Sequence, residues 1–138
     1  MTAPTAESVA RLAAGAVLEK RGFDVAVLDL RGLSSVADFF LICSARSTTQ
    51  ADTVAEAVRV TLRAYGVRPR HTEGSAESGW LLLDYGDVVV HVFLEATRDF
   101  YALDRLWGDA PLLSVEGARP RRPPEGLISP GGRDSLRP

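Results

Sequence analysis

The sequence contains a single cysteine, Cys43, among its 138 residues. One cysteine excludes a disulfide within the chain, and the apolar neighbours Leu41 and Ile42 predict a buried strand. We therefore interpret Cys43 as a small core residue rather than a catalytic thiol. No stretch approaches the roughly 18 apolar residues of a membrane-spanning helix, and the N-terminus lacks the pattern of a secretory signal. These absences predict a cytoplasmic protein without a membrane partner.

Motifs for metal and phosphate chemistry are missing as well. The pair Gly74-Ser75 in a short chain invites comparison with nucleotidyltransferases, whose metal-binding carboxylates usually lie two positions apart on one strand. No D-x-D or D-x-E pair occurs, no glycine-rich phosphate loop is present, and His71 and His91 lack the spacing of zinc ligands. We predict no catalytic residue, no metal and no cofactor. The alternative is a degenerate nucleotidyltransferase-like enzyme acting on nucleotides.

Charge is unevenly spread along the chain. The formal net charge is −2, but residues 114–138 hold five arginines and three acidic residues, which leaves −4 for residues 1–113. Such a domain is a poor candidate for binding nucleic acid through its phosphates, because that binding requires a basic surface. A basic protein partner suits it better.

Apolar periodicity predicts the element order α-β-β-α-β-β-β-α. Thr5 and Ser47 are the expected N-caps of the first two helices, the second within the capping-box pattern S-T-T-Q, and Gly22 and Gly66 are the expected stops. Strands are predicted over 23–30 and 39–45, and a short edge strand containing Pro69 over 67–73. A third helix, capped by Thr97, is expected over 98–107 with polar residues such as Arg98 facing solvent.

The chain is organised around residues 80–93, W-L-L-L-D-Y-G-D-V-V-V-H-V-F. Gly86 can adopt the positive φ of a tight hairpin turn, and the flanking apolar arms predict two strands that are covered on both faces. We therefore predict a single α/β domain over 1–113, with a mixed central β-sheet flanked by helices. Residues 114–138 hold five of the eight prolines and no apolar periodicity, so we expect a disordered tail.

Aromatic and acidic residues around this hairpin suggest a binding surface. Trp80, Tyr85, Tyr101 and Trp107 belong to residue types that are enriched at interface hot spots, although core packing should claim about half of them. Glu73, Asp84 and Asp87 would complement a basic partner. His91 alternates with apolar residues, so it is either a core histidine with satisfied nitrogens or a residue at the rim of an interface.

Three stretches together resemble the ribosomal silencing factor family, also called the Iojap-related family. They are residues 24–50, beginning D-V-A-V-L-D-L-R-G-L-S, the hairpin 80–93, and R-D-F-Y-A-L-D-R-L-W-G-D-A-P at 98–111; with E-G at 73–74, the match spans roughly residues 5–113. The resemblance implies a nucleotidyltransferase-like fold without the catalytic carboxylates. It also implies a non-enzymatic protein that binds the large ribosomal subunit through its fourteenth protein, blocks joining of the small subunit when nutrients are short, and is a homodimer when free.

Carried onto this sequence, the family motifs and the surface argument give one set of expected partner-binding residues, of which only the exposed members would touch the partner: Glu73, Trp80, Asp84, Tyr85, Asp87, His91, Arg98 and Tyr101. A further possibility is that the arginines of the tail make a peripheral contact with ribosomal RNA. The resemblance assigns no role to that tail.

Overall fold

The chain folds as a five-stranded sheet with helices. The structure is a computed structural model that describes residues 3–101 and 108–119. Its elements are α1 (Ala6–Glu19), β1 (Phe23–Asp29), β2 (Phe39–Ala45), α2 (Thr48–Arg63), β3 (His71–Ser75), β4 (Trp80–Asp84), β5 (Val88–Leu94) and α3 (Glu95–Tyr101). The predicted element order is confirmed.

The sheet is mixed, as predicted, with the strand order β1-β2-β5-β4-β3. The pair β2–β5 is parallel, whereas β1–β2, β4–β5 and β3–β4 are antiparallel. The β4–β5 hairpin therefore brings β5 to the centre of the sheet. Six of the seven β5 residues are buried, which accounts for its nearly unbroken apolar sequence.

The two long helices cover one face of the sheet. Both begin where the sequence predicts: the Thr5 hydroxyl accepts from the backbone N–H of Ser8, and the Ser47 hydroxyl accepts from the backbone N–H of Gln50. The Gln50 side chain accepts from the Arg46 N–H at 2.7 Å, one residue earlier than in the usual capping box. Small and branched apolar side chains from α1 and α2 then pack on β2, β4 and β5 to form the main core.

The end of α1 differs from the prediction. Arg21, not Gly22, has the left-handed conformation, with φ of 67°. Gly22 is instead required by space, because a Cβ there would lie 2.4 Å from Cγ1 of Val17. The sequence placed the glycine at the correct end of the helix but with the wrong role.

The second face of the sheet carries a smaller apolar cluster. Its buried members are Leu28, Leu30, Ile42, Phe93 and Ala110, and Phe40 and Trp80 pack against it. Residues after α3 also reach the free side of β1, where the N–H of Asp29 donates to the carbonyl of Pro111 and the N–H of Leu113 donates to that of Val27. The segment 111–113 thus covers that edge of the sheet.

The first residues of the predicted tail also contact the domain. Arg11 Nη1 donates to the carbonyl of Ser114 at 2.8 Å, and Val115 and Ala118 pack against the main core. The expectation of disorder from residue 114 is therefore wrong for residues 114–119, since this short stretch contains apolar side chains that α1 covers. Residues 120–138 lie outside the described residues.

The third strand and the third helix start at other residues than predicted. Strand β3 begins at His71, after Pro69, because proline has no N–H for the ladder; its position at a sheet edge is confirmed. Helix α3 follows β5 directly from Glu95, so Thr97 lies within its first turn and is not its cap. The rest of the predicted helix, residues 102–107, falls outside the described residues.

Candidate partner-binding surface

The turn between β4 and β5 is held by several hydrogen bonds. Gly86 has φ of 90°, and its N–H donates to Asp84 Oδ1 at 2.7 Å. The carbonyl of Asp87 accepts from the N–H groups of Asp38 and Phe39 at 2.8 and 3.0 Å. These bonds fasten the turn to the connection between β1 and β2 and leave the Asp87 residue exposed.

Strands β3 and β4 carry the remaining acidic and aromatic candidates. Cross-strand pairing places Glu73 beside Leu82, and Leu82 beside His91. Because Leu81 and Leu83 belong to the core under the helices, alternation places Trp80, Leu82 and Asp84 on the second face. All five residues of β3 are exposed. We call Glu73, Trp80, Asp84 and Asp87 the acidic edge surface.

This acidic edge surface includes a small cavity. The cavity has a volume of about 160 Å³ and is lined by Glu73, Gly74, Ser78, Trp80 and Leu82. The Glu73 carboxylate also contacts Nε2 of His71 at 2.5 Å, with both side chains more than half exposed. The surface therefore offers apolar area from Trp80 and Leu82 beside a carboxylate, a combination suited to a partner with mixed apolar and basic character.

His91 is a buried support for Trp80. Its side chain is almost wholly inaccessible, and Nε1–H of Trp80 donates to its Nδ1 at 3.1 Å. Burial lowers the pKa of His91 to about 4, so the ring is neutral at neutral pH with its proton on Nε2. No partner for Nε2 occurs within residues 3–101 and 108–119. The structure therefore shows His91 in the core, as the first interpretation has it, but with only one of its two nitrogens satisfied within the described residues.

The aromatic rings around His91 fix its position further. Phe40 lies edge-on to the imidazole with 4.6 Å between ring centroids, and Trp80 stacks on Phe93 with 5.0 Å between centroids. Such ring pairs stabilise a fold by more than the burial of their apolar area alone. The orientation of the half-buried Trp80 is therefore set by β2 and β5 beneath it.

Arg98 is fully buried, so the expectation that it faces solvent is wrong. Its Nη1 donates to the carbonyl of Asp24 at 2.5 Å and to the hydroxyl of Ser44 at 2.9 Å. Asp24 has φ of 50° and lies where the β1–β2 register shifts. Arg98 thus ties α3 to this irregular start of β1, which makes it a structural residue of the domain.

Tyr85 is turned towards the helices. The residue is half-buried, packs against the main core, and has no hydrogen-bond partner for its hydroxyl in the described part of the chain. Burial raises the pKa of Tyr85, opposed by the positive charges of Arg59 and Arg63 on α2. Of the other aromatic candidates, Tyr101 is the last residue of α3 and its side chain lies outside the described part, as does all of Trp107.

Cys43 occupies the core position that the sequence predicts. It is inaccessible to solvent, its Sγ–H donates to the carbonyl of His91 at 3.6 Å, and burial raises the pKa of its thiol to about 12. A thiol in this environment stays protonated at neutral pH and is a poor nucleophile.

An exposed apolar loop is a feature of the structure that the sequence motifs do not indicate. Leu33 and Val36 lie in the connection between β1 and β2 and are 52% and 75% exposed. The signal was present, since two large apolar residues occur in a segment without strand or helix periodicity.

The described residues also lack two kinds of feature. Residues 3–101 and 108–119 contain no group of three or more histidine, cysteine or acidic side chains placed to hold a metal ion. No helix in these ranges is long and apolar enough to cross a membrane.

The fold and its surface define a small α/β domain with an acidic and aromatic sheet edge. Residues 3–128 match the model of the family described as "Ribosomal silencing factor during starvation", and the chain belongs to this family. The predicted family is thereby confirmed.

Named relatives agree with this assignment. The chain is 42% identical over 110 residues to the ribosomal silencing factor of Bacillus subtilis, covering 80% of this chain and 93% of the relative. It is 40% identical over 111 residues to that of Halalkalibacterium halodurans, covering 80% and 95%. The chloroplastic Iojap protein of Zea mays is 37% identical over 100 residues, covering 70% of this chain and 42% of the relative.

Solved structures show the same fold. A crystal structure of a Chromobacterium violaceum protein superimposes with a TM-score of 0.73 at 35% identity, covering 85% of this chain and 98% of that one. A Bacillus halodurans protein superimposes with a TM-score of 0.69 at 35% identity, covering 79% and 99%.

Proposed function

We propose that this protein binds the large ribosomal subunit through its fourteenth protein and sterically blocks joining of the small subunit. Membership of the ribosomal silencing factor family supports this role. Translation would then fall when nutrients are limiting, and the protein would act in the cytoplasm by occupying a surface, without catalysing a reaction.

The observation that carries the proposal is the acidic edge surface. Glu73 and Asp87 are exposed, whereas Trp80 and Asp84 are half-buried, so these side chains can present carboxylates around an aromatic ring. A basic ribosomal protein would complement them. A half-buried tryptophan held by His91 loses little freedom on binding, which favours affinity.

The other predicted site residues have supporting roles in this proposal. Arg98 and His91 are buried, so neither would touch the partner: His91 holds Trp80 in place, and Arg98 ties α3 to the start of β1. Tyr85 packs from the turn against the main core, to which α2 contributes. Tyr101 remains a proposed partner-binding residue without a described side-chain contact.

We also propose that the free protein is a homodimer. All five residues of β3 are exposed, and within the described residues no further strand pairs with its outer edge. An unpaired edge strand is a ready template for pairing with a second chain. Analytical ultracentrifugation across concentration tests this state, and a monomer at the highest soluble concentration would contradict it.

Sedimentation with isolated ribosomal subunits tests the main proposal. The protein should migrate with the large subunit and not with the small one. Asp87→Lys should weaken this co-migration, because it replaces an exposed carboxylate at the turn with a positive charge. Protein that remains at the top of the gradient at low salt would overturn the proposal.

A charge-matched control is available at the opposite end of the sheet. Glu19 is exposed and is the last residue of α1. The next two residues, Lys20 and Arg21, accept hydrogen bonds from the Gln50 side chain near the start of α2. Glu19→Lys makes the same change in net charge as Asp87→Lys. Equal loss of binding in both variants would show that overall charge, and not the acidic edge surface, determines binding.

A further inference from the structure

The short connection between β1 and β2 exposes two large apolar side chains. Leu33 is 52% exposed and Val36, three residues later, is 75% exposed. Single exposed apolar side chains are common on protein surfaces and need no explanation. Two in one short loop, beside the turn of the acidic edge surface, suggest a contact site.

Hydrogen bonds hold this loop in a defined shape. The N–H groups of Leu33 and Ser34 donate to the carbonyl of Leu30 at 2.9 and 3.0 Å, and the N–H of Val36 donates to the Ser34 hydroxyl at 3.0 Å. The N–H of Leu30 donates in turn to the carbonyl of Asp38 at 2.8 Å. The apolar side chains are therefore displayed on an ordered backbone, which lowers the entropy cost of binding.

The loop and the β4–β5 turn form one unit. Asp38 and Phe39 both donate to the carbonyl of Asp87, and the guanidinium of Arg31 lies 4.9 Å from the centroid of the Phe39 ring. Arg31 is also paired with Asp29 at 2.7 Å, which offsets its charge. We call the residues 31–38 and 84–87 the loop–turn tip.

Charge on the loop–turn tip is acidic around the apolar pair. Asp87 is exposed, and Asp38 and Asp84 are half-exposed. The charge of Arg31 is matched by Asp29, and the guanidinium of Arg70 lies beside Gly86. Three carboxylates against this one further cation leave the tip with a negative balance. An acidic rim would repel both nucleic acid phosphates and the same rim on a second copy of this chain. It would attract lysine or arginine residues.

We propose that Leu33 and Val36 are the apolar anchors of the ribosomal contact, and that they enter an apolar cleft bordered by basic side chains on the large-subunit protein. This inference rests on the proposed function and extends its contact surface beyond the family motifs around the hairpin. The apolar pair mainly limits dissociation, whereas Asp38 and Asp87 mainly accelerate association and make it dependent on salt.

Binding kinetics with purified large subunits test this inference. The double variant Leu33→Ser, Val36→Ser should bind at least roughly tenfold more weakly, mainly through faster dissociation, with its salt dependence unchanged. Asp87→Lys should instead slow association and flatten the salt dependence. Val36→Asn, a single uncharged change at a three-quarters exposed position, should also speed dissociation, by less than the double variant, while keeping the fold.

The control removes apolar surface elsewhere. Val60 and Tyr65 are 48% and 56% exposed within or just after α2, so Val60→Ser, Tyr65→Ser should bind like the wild type with a similar melting temperature. The inference would be overturned if the Leu33/Val36 double variant bound as tightly as the wild type, or if the control variant bound as weakly as the double variant. Either result would leave the proposed function standing. Failure of the wild type to bind large subunits would overturn both.

Discussion

Trp80 and His91 are diagonal neighbours on the adjacent strands β4 and β5, and the indole N–H donates to the imidazole Nδ1 at 3.1 Å. This bond fixes the tautomer of a buried histidine and the orientation of a half-buried tryptophan at once. It links the interior of the sheet to the surface that we propose contacts the ribosome.

The first prediction concerns pH. The pKa of His91 in the folded protein is about 4, below its ordinary value of 6.5, so protonation favours the unfolded chain. The stability that the folded chain owes to a neutral His91 is fully present above pH 6.5 and is lost as the pH falls through 4. The free energy of unfolding should fall by up to roughly 3 kcal/mol over this range. Urea unfolding of the wild type and of His91→Asn at several pH values measures the difference. A wild-type curve parallel to that of the variant between pH 6.5 and 4 would contradict this account.

The second prediction concerns the buried arginine. Arg98→Ala should lower the free energy of unfolding by roughly 3 kcal/mol or more, because it empties a buried site and leaves the Asp24 carbonyl and the Ser44 hydroxyl without this donor. Ser44→Ala should cost less, about 1 kcal/mol, since it removes one neutral acceptor. Chemical denaturation measures both. If Arg98→Ala is as stable as the wild type, the arginine is not the tie between α3 and β1.

The third prediction concerns the start of α2. Ser47→Ala removes the side-chain acceptor for the Gln50 N–H and should destabilise the protein by about 1 kcal/mol. Thr48→Ala, at the next and exposed position, is the matched control and should change stability by only a few tenths of a kcal/mol. Similar melting temperatures for the two variants would show that the cap contributes little.

The fourth prediction concerns the close contact between the β3–β4 loop and α3. Gly79 has φ of 86°, and a Cβ there would lie 2.1 Å from Oγ1 of Thr97. Gly79→Ala should therefore be destabilising by more than about 1 kcal/mol through both strain and overlap. Gly32→Ala is a useful comparison, because Gly32 also has positive φ but open space around it. Thermal unfolding should rank Gly79→Ala below Gly32→Ala, and the reverse order would contradict the steric argument.

Local features of the fold could be predicted from the sequence because their causes are local. The caps at Thr5 and Ser47 and the turn at Gly86 each depend on residues within three positions, and all three appear as predicted. The edge position of β3 followed from Pro69 and the polar residues near it. Such signals can be read without tertiary contacts.

Features that depend on distant residues could not be read from the chain. Arg98 is buried by partners 74 and 54 positions away, at Asp24 and Ser44, and helical periodicity alone gave it a solvent-facing position. The left-handed residue at the end of α1 is Arg21, whose N–H donates to the carbonyl of Leu18 while that of Gly22 donates to the carbonyl of Val17. Gly22 is needed for a separate reason, since the side chain of Val17 leaves no room for a Cβ there. The exposure of each residue in the acidic edge surface depends on the register of β3, β4 and β5, and the sequence alone does not give that register.

The most direct test of the central claim is subunit joining. Large subunits incubated with this protein, and then mixed with small subunits, should form fewer joined ribosomes than untreated subunits, as measured by light scattering or gradient profiles. The loss should scale with occupancy of the large subunit and should be relieved by Asp87→Lys but not by Glu19→Lys. Undiminished joining at full occupancy would contradict an occlusion mechanism.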